Sequence, residues 1–228
     1  DHLFKVNESA EALDQESADL YHSVTAKILF LCKQARPDVQ TAVAFLCTRV
    51  KSPDVDDMKK LRCLVCYLRH TKELCLTLEA DNLQIVKWWV DASFAVHPDM
   101  RSHTGGVLSL GKGAIYSTST RQKLNTKSST EAELVGVDDV MPMILWTRQF
   151  MEGQGYVLKD NVLYQDNQSS ILLENNGQQS STKRTRHLAI RYFFVTDRVR
   201  AGQLRIEYCP TGDMWADIHT KPLQGATF

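Results

Sequence analysis

The run Ile85-Val86-Lys87-Trp88-Trp89-Val90 ends on Asp91, and the run Val162-Leu163-Tyr164-Gln165 ends on Asp166. The first is too apolar for an edge strand that faces water, so it predicts a central strand with a carboxylate at its end. The second repeats the arrangement. In open α/β sheets ligands collect at strand ends, so fold and site are constrained together. Taken singly, an Asp after a strand is a turn former or a helix cap. Glu133, near the start of a predicted helix, is an acid the helix dipole favours, and Asp217 falls in a short helix near the end of the chain. Four such acids could point at one sheet edge. Crowded carboxylates raise one another's pKa unless a cation neutralises them, so a cluster kept ionised implies a divalent metal. Mg²⁺ favours such an all-oxygen set with few protein ligands and retained water.

The rest of the chain divides near residue 80. Residues 1–16 are polar and acidic without a sustained period and read as a linker or frayed end. Leu20, Val24, Ile28 and Leu31 then recur at helical spacing, as do Val39, Val43 and Leu46, and Met58, Leu61, Leu64 and Leu68. Arg36-Pro37-Asp38 separates the first two runs, with Pro37 suited to a first helical turn. Three packed helices fit. Strands are predicted at 74–78, 84–90, 105–110 and 114–118, then a helix over 129–150 that Pro142 should kink or split. A strand at 161–165, a helix from Asn167, a helix over 190–200, a strand at 203–209 and a short helix from Asp213 complete, from residue 81 onward, a βββαβααβα order. This is an α/β domain with a mixed sheet.

Composition adds mainly exclusions. The formal net charge is zero, so a polyanion site must come from local charge patterning. No apolar run approaches the roughly 18 to 20 residues needed to cross a bilayer, and the N-terminus lacks the order of a secretory signal, so no membrane partner is expected. Among the cysteines Cys32, Cys47, Cys63, Cys66, Cys75 and Cys209, buried thiols are the expectation. Cys63 and Cys66 form a CxxC without the second pair or regular His ligands of a zinc site. Val137-Asp138-Asp139 sits in a helical pattern without the preceding aromatic of a polymerase turn, so primer extension by this segment is not expected.

Trp89-Val90-Asp91-Ala92-Ser93, Ser128-Ser129-Thr130-Glu131-Ala132-Glu133-Leu134, Asp166-Asn167-Gln168-Ser169 and Ala216-Asp217-Ile218-His219-Thr220-Lys221-Pro222-Leu223 together resemble the ribonuclease H domain of copia-type LTR retrotransposon polyproteins. Arg184 to Tyr192 resembles another stretch of that family, and Arg36-Pro37-Asp38 with Leu61 to Lys72 resembles the helical region that links reverse transcriptase to it. The resemblance implies a ribonuclease H-like mixed five-stranded sheet flanked by helices over 81–228, preceded by a small connection-like helical module over 1–80. It further implies an endoribonuclease that hydrolyses the RNA strand of RNA/DNA hybrids with two Mg²⁺ ions, for which Mn²⁺ substitutes. In that scheme Asp91 bridges both ions, Asp217 completes the one that activates water, and Glu133 and Asp166 hold the one at the leaving 3′ oxygen. The products carry 5′-phosphate and 3′-hydroxyl ends. Two ions about 3.5 to 4 Å apart suit in-line phosphodiester displacement. Glu133 is chosen over Glu131 because the family's acid directly precedes an apolar helical residue, here Leu134; Glu131 is read as a surface or capping residue.

A hybrid offers phosphates and a shallow minor groove lined with 2′-hydroxyls. Arg121, Lys123 and Lys127 lead into Ser128 and Ser129 just before Glu133, and Lys183, Arg184, Arg186 and Arg191 form a second basic group. Lys127, Ser128, Ser129, Arg186 and His187 are the substrate-binding candidates. His187 is read as packing or capping before product release, and His219 as a helix-surface residue. Trp88 and Trp89 should lie on opposite strand faces within the core. The partners implied are the hybrid and the reverse transcriptase polymerase domain of the same polyprotein, in the cytoplasm within a retrotransposon particle or in the nucleus. A DNA-directed nuclease of the same fold and a catalytically silent binding module stay open as alternatives.

Overall fold

The structure, a computed structural model, describes residues 3–177, 189–223 and 225. Helix α1 (Gln15–Gln34) opens at Asp14, whose carboxylate accepts the Ser17 N–H at 2.8 Å. A 3₁₀ turn (Pro37–Val39) leads into α2 (Gln40–Arg49), with Pro37 placed where its missing N–H costs nothing. Helix α3 (Val55–His70) begins with a capping box: Asp54 accepts the Asp57 N–H, and Asp57 accepts the Asp54 N–H in return.

These helices share a core of Tyr21, Ile28, Val39, Val43, Phe45, Leu46, Leu61 and Leu64. The inward faces of α2 and α3 are those the periodicity predicts, with Met58 and Leu68 packed partly buried at the margin. That of α1 is not. Its buried stripe is Tyr21, Thr25, Ile28 and Cys32, while the expected Leu20 is 58% exposed. Burying the Tyr21 ring outweighs burying Leu20, and its hydroxyl finds a partner in the Leu46 carbonyl at 3.0 Å. Residues ahead of α1 are also not frayed. Phe4 is buried against Phe45, His97 and His103, with ring centroids 5.2 to 5.6 Å away. Leu13 N–H bonds to the Pro53 carbonyl and Val55 N–H to that of Glu11.

The stretch 74–78 forms no strand, contrary to expectation. Leu74 and Leu78 are exposed, and pairing begins only at β1 (Glu79–Ala80), antiparallel to the two-residue β4 (Gly111–Lys112). Alternating leucines without a neighbouring backbone have no ladder to join. The main sheet consists of β2 (Ile85–Ser93), β3 (His103–Ser109), β5 (Tyr116–Arg121), β6 (Asp160–Gln165) and β7 (Arg205–Tyr208) in the order β5-β3-β2-β6-β7. Strands β2, β3 and β5 pair antiparallel, whereas β2, β6 and β7 run parallel. The fold class is the one expected, α/β with a mixed five-stranded sheet flanked by helices. β2 is its central strand.

On one face, Val86, Trp88, Val90 and Leu163 pack under α4 (Ser129–Gly153) and α6 (Ala189–Arg200), against Val137, Met141, Ile144 and Val195. α5 (Gln168–Asn176) lies beside them. α4 passes through Pro142 without the predicted split: the proline ring sits on the exposed side while Met141 and Ile144 anchor the helix from below. On the opposite face Trp89, Val107, Cys209, Met214 and Ala216 form a second cluster, so the two tryptophans do face opposite ways. The final segment is two 3₁₀ turns, Thr211–Asp213 and Trp215–His219, rather than one short helix.

The helical layer closes onto the β5 edge. Gln40 Nε2 donates to the Ser117 carbonyl at 3.2 Å, and Ser117 Oγ donates to Gln40 Oε1 at 2.6 Å. Covering an edge strand in this way removes a template for unwanted pairing. Of the cysteines only Cys32 and Cys209 are buried; Cys63 and Cys66 are exposed because the CxxC faces outward from α3, and Cys75 is exposed in the stretch that follows it. Among the described residues no helix is long and apolar enough to cross a membrane. Truncation of the one ring that holds the N-terminal segment, Phe4→Ala, should lower unfolding free energy by about 3 kcal/mol in urea titrations; an unchanged midpoint would mean that this segment is frayed in solution.

Candidate metal centre

Parallel pairing sets the first two acids side by side. Trp89 is in register with Tyr164, so two residues further along each strand Asp91 and Asp166 emerge at the same sheet end. Ser128 starts α4 there, its hydroxyl accepting the Glu131 N–H, and the first turns of the helix carry Glu133 over β2. One carboxylate oxygen from each of Asp91, Glu133 and Asp166 lies within 4.8 Å of the other two. Asp91 and Glu133 are buried and Asp166 is half-buried.

The electrostatics fit this crowding. Burial pushes Asp91 up to about 6, against the pull of the Lys221 ammonium and the Thr220 hydroxyl, with Asp217 and Asp166 adding to the rise. Burial also holds Glu133 well above the ordinary carboxylate range, reinforced by Asp91 and Asp166. Glu133 Oε2 is buried without a hydrogen-bond partner. A buried acceptor facing two other acids is costly as it stands and well matched to a hard cation. These residues therefore fit divalent metal.

Asp217 is near but not within the triad. Its Oδ1 accepts from Lys221 Nζ at 2.6 Å, and the same ammonium is 3.8 Å from Asp91 Oδ2. Thr220 Oγ1 donates to Asp91 Oδ2, tying the 3₁₀ turn of Asp217 to the central strand. Gly105, paired with Asp91 on β3, makes that approach possible: a Cβ there would lie 2.6 Å from Thr220 Cγ2 and 2.9 Å from the Ala216 carbonyl oxygen. The turn is held from behind as well, with Thr41 Oγ1 of α2 donating to the Ile218 carbonyl at 2.6 Å and Ser119 Oγ to that of His219 at 2.8 Å. Thr220, Lys221, Gly105 and Thr41 were not singled out from sequence. Only Thr220 and Lys221 carried a signal, their place beside Asp217.

His219 lies in the interior, not on a helix surface; burial, helped by Lys33, pulls its pKa down to about 4. Its ring faces inward because the turn is packed between β3 and α2. Lys127, Ser128 and Ser129 are exposed at the start of α4, beside the triad. Glu131 is a buried capping residue, its Oε2 accepting the Lys127 N–H at 2.7 Å. Arg121 is engaged with Asp99 at 3.1 Å. Arg186 and His187, with Lys183 and Arg184, lie outside the described residues.

No protein-family model matches the chain. Among curated proteins it is 29% identical over 202 residues to a Retrovirus-related Pol polyprotein from transposon TNT 1-94 of Nicotiana tabacum, covering 88% of this chain and 15% of that protein. It is 30% identical over 210 residues to the corresponding polyprotein from transposon RE1 of Arabidopsis thaliana, covering 91% of this chain and 14% of the relative. This chain is a homologue of copia-type Pol polyproteins. It spans about a seventh of their length. Among solved structures, it aligns with the compost-derived LC11 RNase H1 at 13% identity and a TM-score of 0.45, over 60% of this chain and 92% of that one.

The raised pKa of Asp91 has a measurable sign. Folded, the group titrates at about 6, against 3.8 for the free side chain. The folded state therefore holds the proton more tightly, and the cost of ionising Asp91 in place grows from pH 4 to 6 and is complete above 6. In urea unfolding with EDTA, Asp91→Asn should stabilise the chain by about 1 to 3 kcal/mol at pH 8 and by almost nothing below pH 4. Equal effects at both pH values would contradict the strained-acid account.

Proposed function

We propose that this chain is an endoribonuclease that hydrolyses the RNA strand of RNA/DNA hybrids with two Mg²⁺ ions, as the ribonuclease H part of a retrotransposon reverse transcriptase. The observation that carries the reading is the meeting of Asp91, Glu133 and Asp166, from three separate elements, with Glu133 Oε2 left unpartnered. Homology to copia-type Pol polyproteins supports it.

In this reading Asp91, Glu133 and Asp166 hold one cation, while Asp91 and Asp217 hold the other. Bound there, the cations would neutralise the scissile phosphate and stabilise both the attacking and the leaving oxygens. The protein's own work is orientation. Thr220 fixes one oxygen of Asp91, and Thr211 Oγ1, 3.1 Å from Asp166 Oδ2, does the same for Asp166. The α4 start presents Lys127, Ser128 and Ser129 to solvent beside the acids, where they can meet a phosphate and the 2′-hydroxyls that distinguish RNA from DNA. Arg186 and His187 are proposed as further substrate contacts. We assign 1–80 to a connection-like module that tethers 81–228 to the polymerase domain, within a cytoplasmic particle or in the nucleus.

The test is Mg²⁺-dependent cleavage of labelled RNA/DNA, RNA/RNA and DNA/DNA duplexes of one sequence. Only the hybrid should be cut, and EDTA should abolish cutting. Asp91→Asn, Glu133→Gln and Asp166→Asn should each reduce the rate by about a hundredfold or more, the loss typical of removing one transition-state charge stabiliser. Equal cutting of all three duplexes, or full activity in Asp166→Asn, would overturn the assignment.

A further inference from the structure

The position of Lys221 carries one step more, resting on the metal-dependent reading above. Its ammonium lies 2.6 Å from Asp217 Oδ1 and 3.8 Å from Asp91 Oδ2, in the gap between the two acids. Among the described residues these carboxylates are the partners of its ammonium, and the side chain remains about one-third exposed. Asp91 Oδ2 is meanwhile occupied by the Thr220 hydroxyl. Asp217 stands outside the triad, and its charge is matched by a tethered cation four residues further along the chain.

We propose that Lys221 is a built-in counter-ion, a positioning residue that holds Asp217 toward Asp91 before metal arrives and is displaced when a divalent cation binds between those two acids. Three features support it. Asp91 is 97% buried at its side chain, so little water screens it from its neighbours. An ammonium makes point-charge contacts and lacks the planar fork of Arg, so it can let go of one carboxylate without losing a bidentate geometry. A route for displacement exists, because the one-third of the side chain already exposed gives the ammonium a path into solvent or toward an incoming phosphate. Lys221 would thus preserve the arrangement of the site during the metal-free part of its life, and compete weakly with the metal.

The competition is readable without any nucleic acid. Thermal unfolding of the 228-residue chain is followed in EDTA and across a Mg²⁺ titration, for the wild type, Lys221→Met and Lys221→Arg, with far-UV circular dichroism establishing that each variant is folded. Lys221→Met should melt lower than wild type in EDTA, respond to Mg²⁺ with a larger rise in Tm, and reach half-saturation at about two- to fivefold less Mg²⁺, the range expected when a partly exposed ion pair is removed. Lys221→Arg keeps the charge and should stay close to wild type. If Lys221→Met fails to fold, Lys221→Gln, measured by calorimetric titration with Mg²⁺, must show the same tightening. A wild-type Mg²⁺ response matched unchanged by the neutral variants, or weakened in them, overturns the counter-ion role while leaving the metal site intact. No Mg²⁺ response in any chain overturns both.

Discussion

Mutual repulsion among carboxylates at the shared end of β2 and β6 is the constraint around which this chain is arranged. Left alone, three acids with oxygens inside 4.8 Å and two of them buried would drive the sheet end apart or take up protons. Asp91 and Glu133 have raised pKa values, chiefly through burial, with the neighbouring carboxylates adding to the rise. Asp217 shows a different response, neutralised by Lys221. The surrounding elements tolerate this because the helix and strand that bring the acids together are fixed by apolar packing that begins beside them, where Trp88, Val90 and Leu163 meet Val137, Met141 and Ile144. Core stability is spent on holding a polar site in an unfavourable state, as functional sites commonly require.

Much of this was legible in the sequence, for a definable reason. The apolar run before Asp91 has no amphipathic alternation, and only a central strand buries both faces. Its central place and its parallel partner β6 then put Asp91 and Asp166 together by register alone. Ser128 and Asn167 cap α4 and α5 as hydroxyl and amide side chains do. These are local signals with local causes. What escaped were outcomes decided by distant partners. The face of α1 turned on the Leu46 carbonyl 25 residues away from Tyr21, and the order of residues 3–14 turned on Phe4 finding three rings and on backbone bonds to Pro53 and Val55. The continuity of α4 through Pro142 follows from the tertiary packing of its other face, which outweighs the lost backbone donor.

Asp217 illustrates the limit most clearly. Its sequence context marks it as a site residue, yet nothing local says how a 3₁₀ turn near the end of the chain comes to lie against the central strands. That placement needs Gly105, which has no side chain to obstruct Thr220, together with Thr41 and Ser119, which hold the carbonyls of Ile218 and His219. Thr41 belongs to α2, so the helical layer reaches the candidate centre through one hydrogen bond to the residue after Asp217. The three contacts come from positions 41, 105 and 119, and no spacing rule connects them.

Burial across the centre is graded, and the gradient gives it a direction. Glu133 and Asp91 are 5% and 2% exposed, while Asp166, Asp217 and Lys221 sit at the margin. In the proposed reading, a polyanion too large to enter the interior approaches from that margin, and the deep acids would hold a cation from behind while the shallow ones share it with an incoming phosphate. The exposed Lys127, Ser128 and Ser129 lie at the start of the same helix that buries Glu133. Helix α4 therefore sets the depth of the acid and the position of the outer polar groups together, and a shift of that helix along its axis would move both at once.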